Sequence, residues 1–185
     1  MYFADQEAPA SILEFEGAKD IAIEFHSLSK PYSMTGWRLG YAVVPEWLVG
    51  PIVRLINSSI SCTPQFVQMA GLEALSGPQA DSVSMMRTLK ERRDLMVEGL
   101  NSIPGVSCRV PHGAFYAFPN IAALGLSSAA LANLLLEEGG VAVLPGTAFG
   151  PEGEGYIRLC FSTSAEQIRE ALARIRRVAS RLYAG

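Results

Sequence analysis

Cysteine, basic charge and long apolar runs are all scarce in this chain of 185 residues, and each scarcity closes off a class of protein. The three cysteines, Cys62, Cys108 and Cys160, are odd in number and spaced too widely for a zinc knuckle or a CxxC pair. Such usage fits a reducing compartment, so a cytoplasmic location is expected. His26 and His112 have no matching ligand cluster around them, so no metal site is expected. With 15 basic against 18 acidic residues the net charge is -3, which excludes the basic face of a general nucleic-acid binder. No uninterrupted apolar run is long enough to span a bilayer, and no membrane partner is expected. The opening MYFADQEAPA is acidic with no apolar stretch behind it, which argues against a signal peptide. Glycine (17) and proline (11) are spread without period, so collagen-like and low-complexity classes are out.

What remains is a chain 49% hydrophobic and 18% charged, long enough to bury a real core as one domain or one and a fragment. Its first twenty residues show no capped element, only an apolar start and a turn over Asp5–Pro9. Ile21–Phe25 alternates apolar and polar residues as a strand does, and Gly40–Val44 is a second strand closed by Pro45. Pro45 and Glu46 suit the first turn of a helix in which Trp47, Leu48, Ile52, Leu55 and Ile56 recur at helical spacing. A long helical stretch from Gln65 to Ser102 is interrupted near Gly77-Pro78. Its basic cluster at Lys90, Arg92 and Arg93 reads as a solvated face.

Beyond Pro104-Gly105 the rhythm shortens. Strands are predicted over Val106–Val110, Ala114–Phe118, Val141–Leu144 and Tyr156–Ser162, and a helix over Leu126–Glu138. A terminal amphipathic helix runs over Ala165–Tyr183, capped by Thr163 or Ser164. The loop Pro145–Gly155 carries three glycines before Glu154 and reads as an edge able to move beside a site. Cys160 is expected to point away from Arg158 and pack. The element order suggests an α/β part joined to a compact α+β part.

The informative segment is Ser27-Leu28-Ser29-Lys30-Pro31-Tyr32-Ser33-Met34-Thr35-Gly36-Trp37-Arg38-Leu39-Gly40. A lysine sits in a loop just past a strand, with two hydroxyls before it and an arginine eight residues on. Hydroxyls and a guanidinium fork make a sensible phosphate cradle. A lysine beside such a cradle can serve as an amine nucleophile toward a carbonyl, although from the residues alone an ordinary loop lysine remains the simpler reading. Tyr32 and Trp37 read as packing around this loop.

That segment resembles the lysine motif of the class I/II, fold-type I, pyridoxal-phosphate-dependent aminotransferases: Ser-x-Ser-Lys, an aromatic, Met-Thr-Gly, an aromatic and Arg-x-Gly. Further stretches are similar to the same family: Gly113-Ala114-Phe115-Tyr116 to its GGAFY strand (with His112 where a glycine is common), Pro145-Gly146 to Phe149-Gly150 to its PGxxFG loop, and Tyr156–Ser162 to its Arg-Leu strand. The resemblance implies pyridoxal 5'-phosphate as cofactor, held as a Schiff base on Lys30, with Ser27 and Arg38 on its phosphate. It implies that Lys30 also carries the proton of the 1,3-shift and that Arg158 clamps the carboxylate of an amino acid or 2-oxo acid. No metal is implied.

The implied fold is α/β: the C-terminal part of the fold-type I large domain, with an incomplete sheet, plus an α+β small C-terminal domain. On that reading residues 1–75 carry what remains of the cofactor-binding large domain with the lysine loop. Residues 76–185 form an interdomain helix and the small domain. The resemblance covers the C-terminal half of a family member; the glycine loop under the phosphate, an Asp on the pyridine nitrogen, an Asn and a Tyr near the phenolic oxygen have no counterpart here. A short sheet exposes an apolar face and free edges, so association with a second copy or with the other half is expected, and a homodimer is implied by the family. Two readings follow. The first is an aminotransferase, with aspartate and 2-oxoglutarate the lead substrates and alanine, aromatic amino acids and diaminopimelate open. The second is a non-catalytic truncated fragment acting as a folded, dimerising half.

Overall fold

The structure, a computed structural model, describes residues 1–5 and 9–183. The turn expected over Asp5–Pro9 falls largely on residues 6–8, outside the described residues. The chain divides between Ser84 and Met85 into two compact units, each with its own packing.

In the first unit the opening residues do build a capped element, contrary to expectation. Ser11 accepts the Leu13 N–H on its hydroxyl at 3.1 Å, and Glu14 accepts the Ser11 N–H at 3.3 Å. This reciprocal box starts a 3-10 turn over Ile12–Glu14; the Ser-x-x-Glu spacing was its signal. The short helix α1 (Ala18–Ile21) takes up Ile21, so strand β1 covers Glu24–Ser27 rather than Ile21–Phe25. β1 pairs antiparallel with β2 (Gly40–Val43), with Ser27 opposite Gly40. A Cβ on Gly40 would stand 2.6 Å from the His26 carbonyl oxygen, so this crossing accepts only glycine without a backbone shift.

Helix α2 (Glu46–Ser59) starts on Pro45, α3 (Gln65–Ser76) on Pro64, and α4 (Ala80–Asn101) runs through the division between the units. The apolar periodicity of α2 is present as expected, yet the helix buries no residue at all. Trp47, Leu55, Ile60, Phe66 and Leu72 are each more than half exposed.

The second unit is better filled. Its antiparallel sheet has the order β3-β5-β4, from β3 (Tyr116–Ala117), β4 (Leu144–Pro145) and β5 (Ile157–Cys160). Two further bridges, Ser107 with Asn120 and Asn120 with Tyr156, extend it. The strand expected over Val106–Val110 shrinks to that first bridge. Asn101 is the cause: its side-chain amide captures both backbone groups of Cys108, at 2.7 and 3.0 Å, and removes them from any ladder. Helices α5 (Ser128–Glu137) and α6 (Ala165–Tyr183) bring apolar stripes to the core. On α6, Ile168, Leu172, Ile175 and Val178 are all buried, at the spacing of one helix face. The Ser164 hydroxyl accepts the Gln167 N–H at 3.2 Å and caps that helix.

Arg93 corrects the reading of the basic cluster on α4 as solvated, for the residue is only 1% exposed. Its Nε and Nη2 donate to Asp94 Oδ1 at 2.8 and 2.6 Å, and Nη1 reaches the Pro111 carbonyl at 3.4 Å. Burial pushes the Asp94 carboxyl up, but hydrogen bonds from Lys90 and Arg93 outweigh it and hold the group below its ordinary value.

The loop Pro145–Gly155 is built of two 3-10 turns, Gly146–Phe149 and Pro151–Gly153. Gly146 and Gly153 lie back to back: a Cβ on either would fall 2.0 Å from the other's carbonyl oxygen. Glu154 ties the loop to the start of α5, accepting the Ser128 N–H at 2.7 Å, the Ser128 hydroxyl at 3.1 Å and the Gly155 N–H at 3.0 Å. The Ser128 and Gly155 amides hold its carboxyl below the ordinary glutamate value.

Candidate active site

The β1–β2 hairpin fixes the lysine loop. Its last rung, Leu28 N–H to Leu39 O at 3.2 Å, closes the neck of the loop. Ser27 then accepts the Ser29 N–H on its hydroxyl at 3.2 Å, and the Tyr32 N–H returns to the Leu28 carbonyl at 3.3 Å, turning the chain sharply around Lys30. Lys30 is exposed at this turn, while Leu28 and Met34 are buried beneath it as apolar anchors. The Tyr32 hydroxyl bonds Gln79 Oε1 at 3.2 Å, and the Ser82 hydroxyl donates to the Pro31 carbonyl at 3.1 Å. These contacts pin the loop to the α3–α4 turn. Tyr32 packs around the loop as anticipated; Trp37 is 44% exposed and only approaches Phe66, at 6.4 Å between ring centres.

Two non-glycine residues of this loop, Ser33 (φ 55°) and Arg38 (φ 52°), adopt left-handed backbone conformations. Such strain persists only where the surrounding structure dictates it. At Arg38 it follows a 3-10 turn over Thr35–Trp37, and the side chain folds back so that Nη1 donates to the Thr35 carbonyl at 2.9 Å. The remaining N–H groups of that guanidinium make no other bond among the described residues. Ser27, Lys30 and Arg38 therefore belong to one hydrogen-bonded loop, with Ser27 and Arg38 on the two arms of the same hairpin. A hydroxyl and a guanidinium are donors that a phosphate dianion accepts from, so Ser27 and Arg38 fit the phosphate end of pyridoxal phosphate and leave the Lys30 amine for its carbonyl.

Arg158 lies in the second unit, on β5. Its guanidinium carbon sits 4.3 Å from the centre of the Tyr116 ring and 4.4 Å from that of Phe149. Two aromatic rings thus lie against the guanidinium, an attractive cation–π arrangement. Arg158 makes no ion pair among the described residues, so the fork is available to a carboxylate. Phe149 is braced in turn by Phe118, edge-on at 6.0 Å, and Phe118 stacks on Tyr156 at 5.3 Å. Sequence reasoning assigned no role to Phe149 or Tyr116; aromatic residues alternating along Tyr116-Ala117-Phe118 were the available signal.

Cys160 overturns its expectation. Residues two apart on a strand share a face, and Cys160 lies exposed on the same face as Arg158, while Ile157 and Leu159 fill the core. His26 is structural: its Nε2 lies 2.7 Å from Glu24 Oε1 and its ring stacks on Tyr41 at 4.8 Å. Among the described residues no cluster of His, Cys, Asp and Glu could hold a metal ion, and no helix is long and apolar enough to cross a membrane.

A lysine at the turn beyond a strand, followed by long helices and an α+β unit bearing an open arginine fork, is the C-terminal part of a fold-type I transferase. Solved aminotransferases of that fold superimpose on nearly the whole chain. The family model "Aminotransferase class I and II" matches residues 1–175, and the chain belongs to this pyridoxal-phosphate-dependent family. It is 44% identical over 167 residues to the putative aminotransferase YugH of Bacillus subtilis, covering 90% of this chain and 43% of that one. It is 42% identical over 168 residues to the LL-diaminopimelate aminotransferase of Moorella thermoacetica, covering 91% and 43%. The crystal structure of the aromatic aminotransferase from Pyrococcus horikoshii superimposes with a TM-score of 0.91 at 35% identity, covering 97% of this chain and 48% of that one. Another relative, 42% identical over 160 residues, is named an aspartate aminotransferase. The chain spans about half the length of the curated relatives it matches.

Proposed function

We propose that this chain carries the lysine loop and the substrate-carboxylate arginine of an aminotransferase that moves an amino group between an amino acid and a 2-oxo acid. The observation that carries the reading is the loop of Ser27, Lys30 and Arg38. A nucleophilic amine and a phosphate-binding donor set share one rigid hairpin end there. Bound at that end, pyridoxal phosphate supplies a carbonyl for the amine and a conjugated ring that takes up the electron pair left on Cα.

The chain's own residues do the rest. Ser27 and Arg38 hold the phosphate by a hydroxyl and a guanidinium, fixing the cofactor's orientation. Lys30 would be the nucleophile toward the cofactor's carbonyl and the group that takes the Cα proton and returns it. Arg158 binds the substrate α-carboxylate through two parallel N–H bonds, and its two flanking rings keep the fork from rotating away. Aspartate and 2-oxoglutarate are the proposed pair. The relatives named for LL-diaminopimelate and for aspartate both take amino acids with a second carboxylate, which favours a dicarboxylic substrate over alanine or an aromatic one. Three free thiols suit a cytoplasmic setting, and the bare apolar surface of α2 suits a homodimer. The fragment reading is the weaker one, because the family match runs through residue 175 with the lysine loop intact.

The test is a titration of the purified chain with pyridoxal phosphate, followed by absorbance, borohydride reduction and peptide mapping. Only three lysines exist, at positions 19, 30 and 90, so the map is unambiguous. Saturable label on Lys30, abolished in Lys30→Ala and weakened in Arg38→Ala, is expected. Label spread evenly over the three lysines would sink the proposal.

A further inference from the structure

The loop Pro145–Gly155, which carries Phe149, is fastened to the rest of the second unit at two places. At its entry the Gly146 N–H donates to the Tyr156 carbonyl at 2.8 Å. At its exit Glu154 reaches across to the first residue of α5. Oε1 accepts the Ser128 and Gly155 N–H groups, and Oε2 accepts the Ser128 hydroxyl. A carboxylate suits that place, because the first N–H groups of a helix have no partner within it and carry partial positive charge. Ser128 is fully buried, and its hydroxyl lies 3.4 Å from that of Thr147, which belongs to the same 3-10 turn as Phe149.

These contacts run without a gap from an exposed carboxylate to a guanidinium. Glu154 fixes Ser128, Ser128 meets Thr147, and the turn of Thr147 sets the Phe149 ring 4.4 Å from the Arg158 guanidinium carbon. The α5 end is firm: Ser127 caps the helix by accepting the Ala130 N–H at 3.2 Å, and Leu131 and Leu135 are buried behind it. The loop is not firm by itself. It contains four glycines, of which Gly150 and Gly155 adopt positive φ. Phe149 is 51% exposed, so burial alone does not hold its ring in place.

We infer that Glu154 is a positioning residue for Arg158: by fastening the loop to α5 it keeps the Phe149 ring against the guanidinium and so holds that group in one orientation. Without the carboxylate, the Ser128 and Gly155 amides lose their acceptor and the turn over Gly146–Phe149 can carry the ring away. Arg158 then keeps the Tyr116 contact alone and gains side-chain freedom that a ligand must remove again on binding. Glu154 needs no contact with the ligand for this. The assignment rests on the proposed role of Arg158 and adds the device that orients it.

The side-chain Nε–Hε resonance of Arg158 in the full chain reads the place of the rings, because aromatic ring currents displace it, and its absence in Arg158→Ala assigns it. Phe149→Leu gives the position of the signal once the ring is gone. Glu154→Ala is expected to move the signal most of the way to that position. It should also weaken 2-oxoglutarate binding, measured by titration calorimetry, about fivefold, the scale of part of one charge-assisted contact. Glu154→Gln keeps one oxygen for the two amides and should give an intermediate signal, as should Ser128→Ala, which cuts the link to Thr147. Glu152→Ala removes an exposed charge from the same loop and should leave signal and affinity at their native values. A native signal in Glu154→Ala, or an equal shift in Glu152→Ala, overturns the positioning role. A shifted signal in Glu154→Ala with 2-oxoglutarate binding intact in Arg158→Ala supports the positioning role and overturns the α-carboxylate clamp, so the two failures are distinguishable.

Discussion

Helices α2, of 14 residues, and α6, of 19, both carry apolar residues at helical spacing, yet they end in opposite situations. α6 buries Ile168, Leu172, Ile175, Val178 and Ala179 within its own unit, whereas α2 buries nothing. The contrast extends to the units: the second closes a core around Phe161, Leu100 and Leu135, while the first relies on a few anchors such as Phe3, Leu28, Met34 and Val67. Amphipathicity shows that a helix face seeks a partner; it does not say whether the partner lies in the same chain segment. The first unit carries the lysine loop beside a helix that buries nothing, and the second has a closed core of its own.

The sharpest way to break this comparison is a pair of truncations. Phe161→Ala, at a side chain with no exposure, should cost about 3–5 kcal/mol in urea unfolding, while Leu55→Ala on α2 should stay within about 0.5 kcal/mol. Equal losses would mean that the α2 face is covered in solution. Next comes Arg93→Ala, which removes a buried stem and the partner of Asp94. A loss of about 2–3 kcal/mol by the same measurement is expected, and Arg93→Met should recover part of it through packing.

The smallest effect belongs to Glu154. Its folded-state pKa is depressed, so its stabilising contribution is complete above the ordinary glutamate value of 4.5 and is lost as pH falls through the lower folded value. Thermal melts at neutral and acid pH should therefore show Glu154→Gln to be less stable than the native chain at pH 7. The two should converge in acid, and a gap that widens there would contradict the clamp.

Much of this was legible in the sequence for specific reasons. The lysine loop stood out because fourteen consecutive residues match a family motif, where spacing alone left an ordinary loop lysine the simpler reading, and α6 because its periodicity is long and capped. The losses were local competitions that periodicity cannot see. Asn101 takes the backbone of Cys108 out of a strand, Ser11 and Glu14 cap a turn inside a stretch that reads as shapeless, and Arg93 is drawn inward by Asp94 and the Pro111 carbonyl. The aromatic contacts of Arg158 were hidden differently, since Tyr116 lies 42 residues before it and Phe149 meets it only through the fold of the intervening loop.

The back-to-back contact of Gly146 and Gly153 has a consequence for how this region can vary. Each residue occupies the space the other's side chain would need, so no single substitution at either place can be rescued by a compensating change at its neighbour. A saturation library of the loop should show two isolated positions of complete intolerance seven residues apart, with Glu152 between them free to vary. Any lineage carrying this loop inherits both glycines together or rebuilds the loop outright.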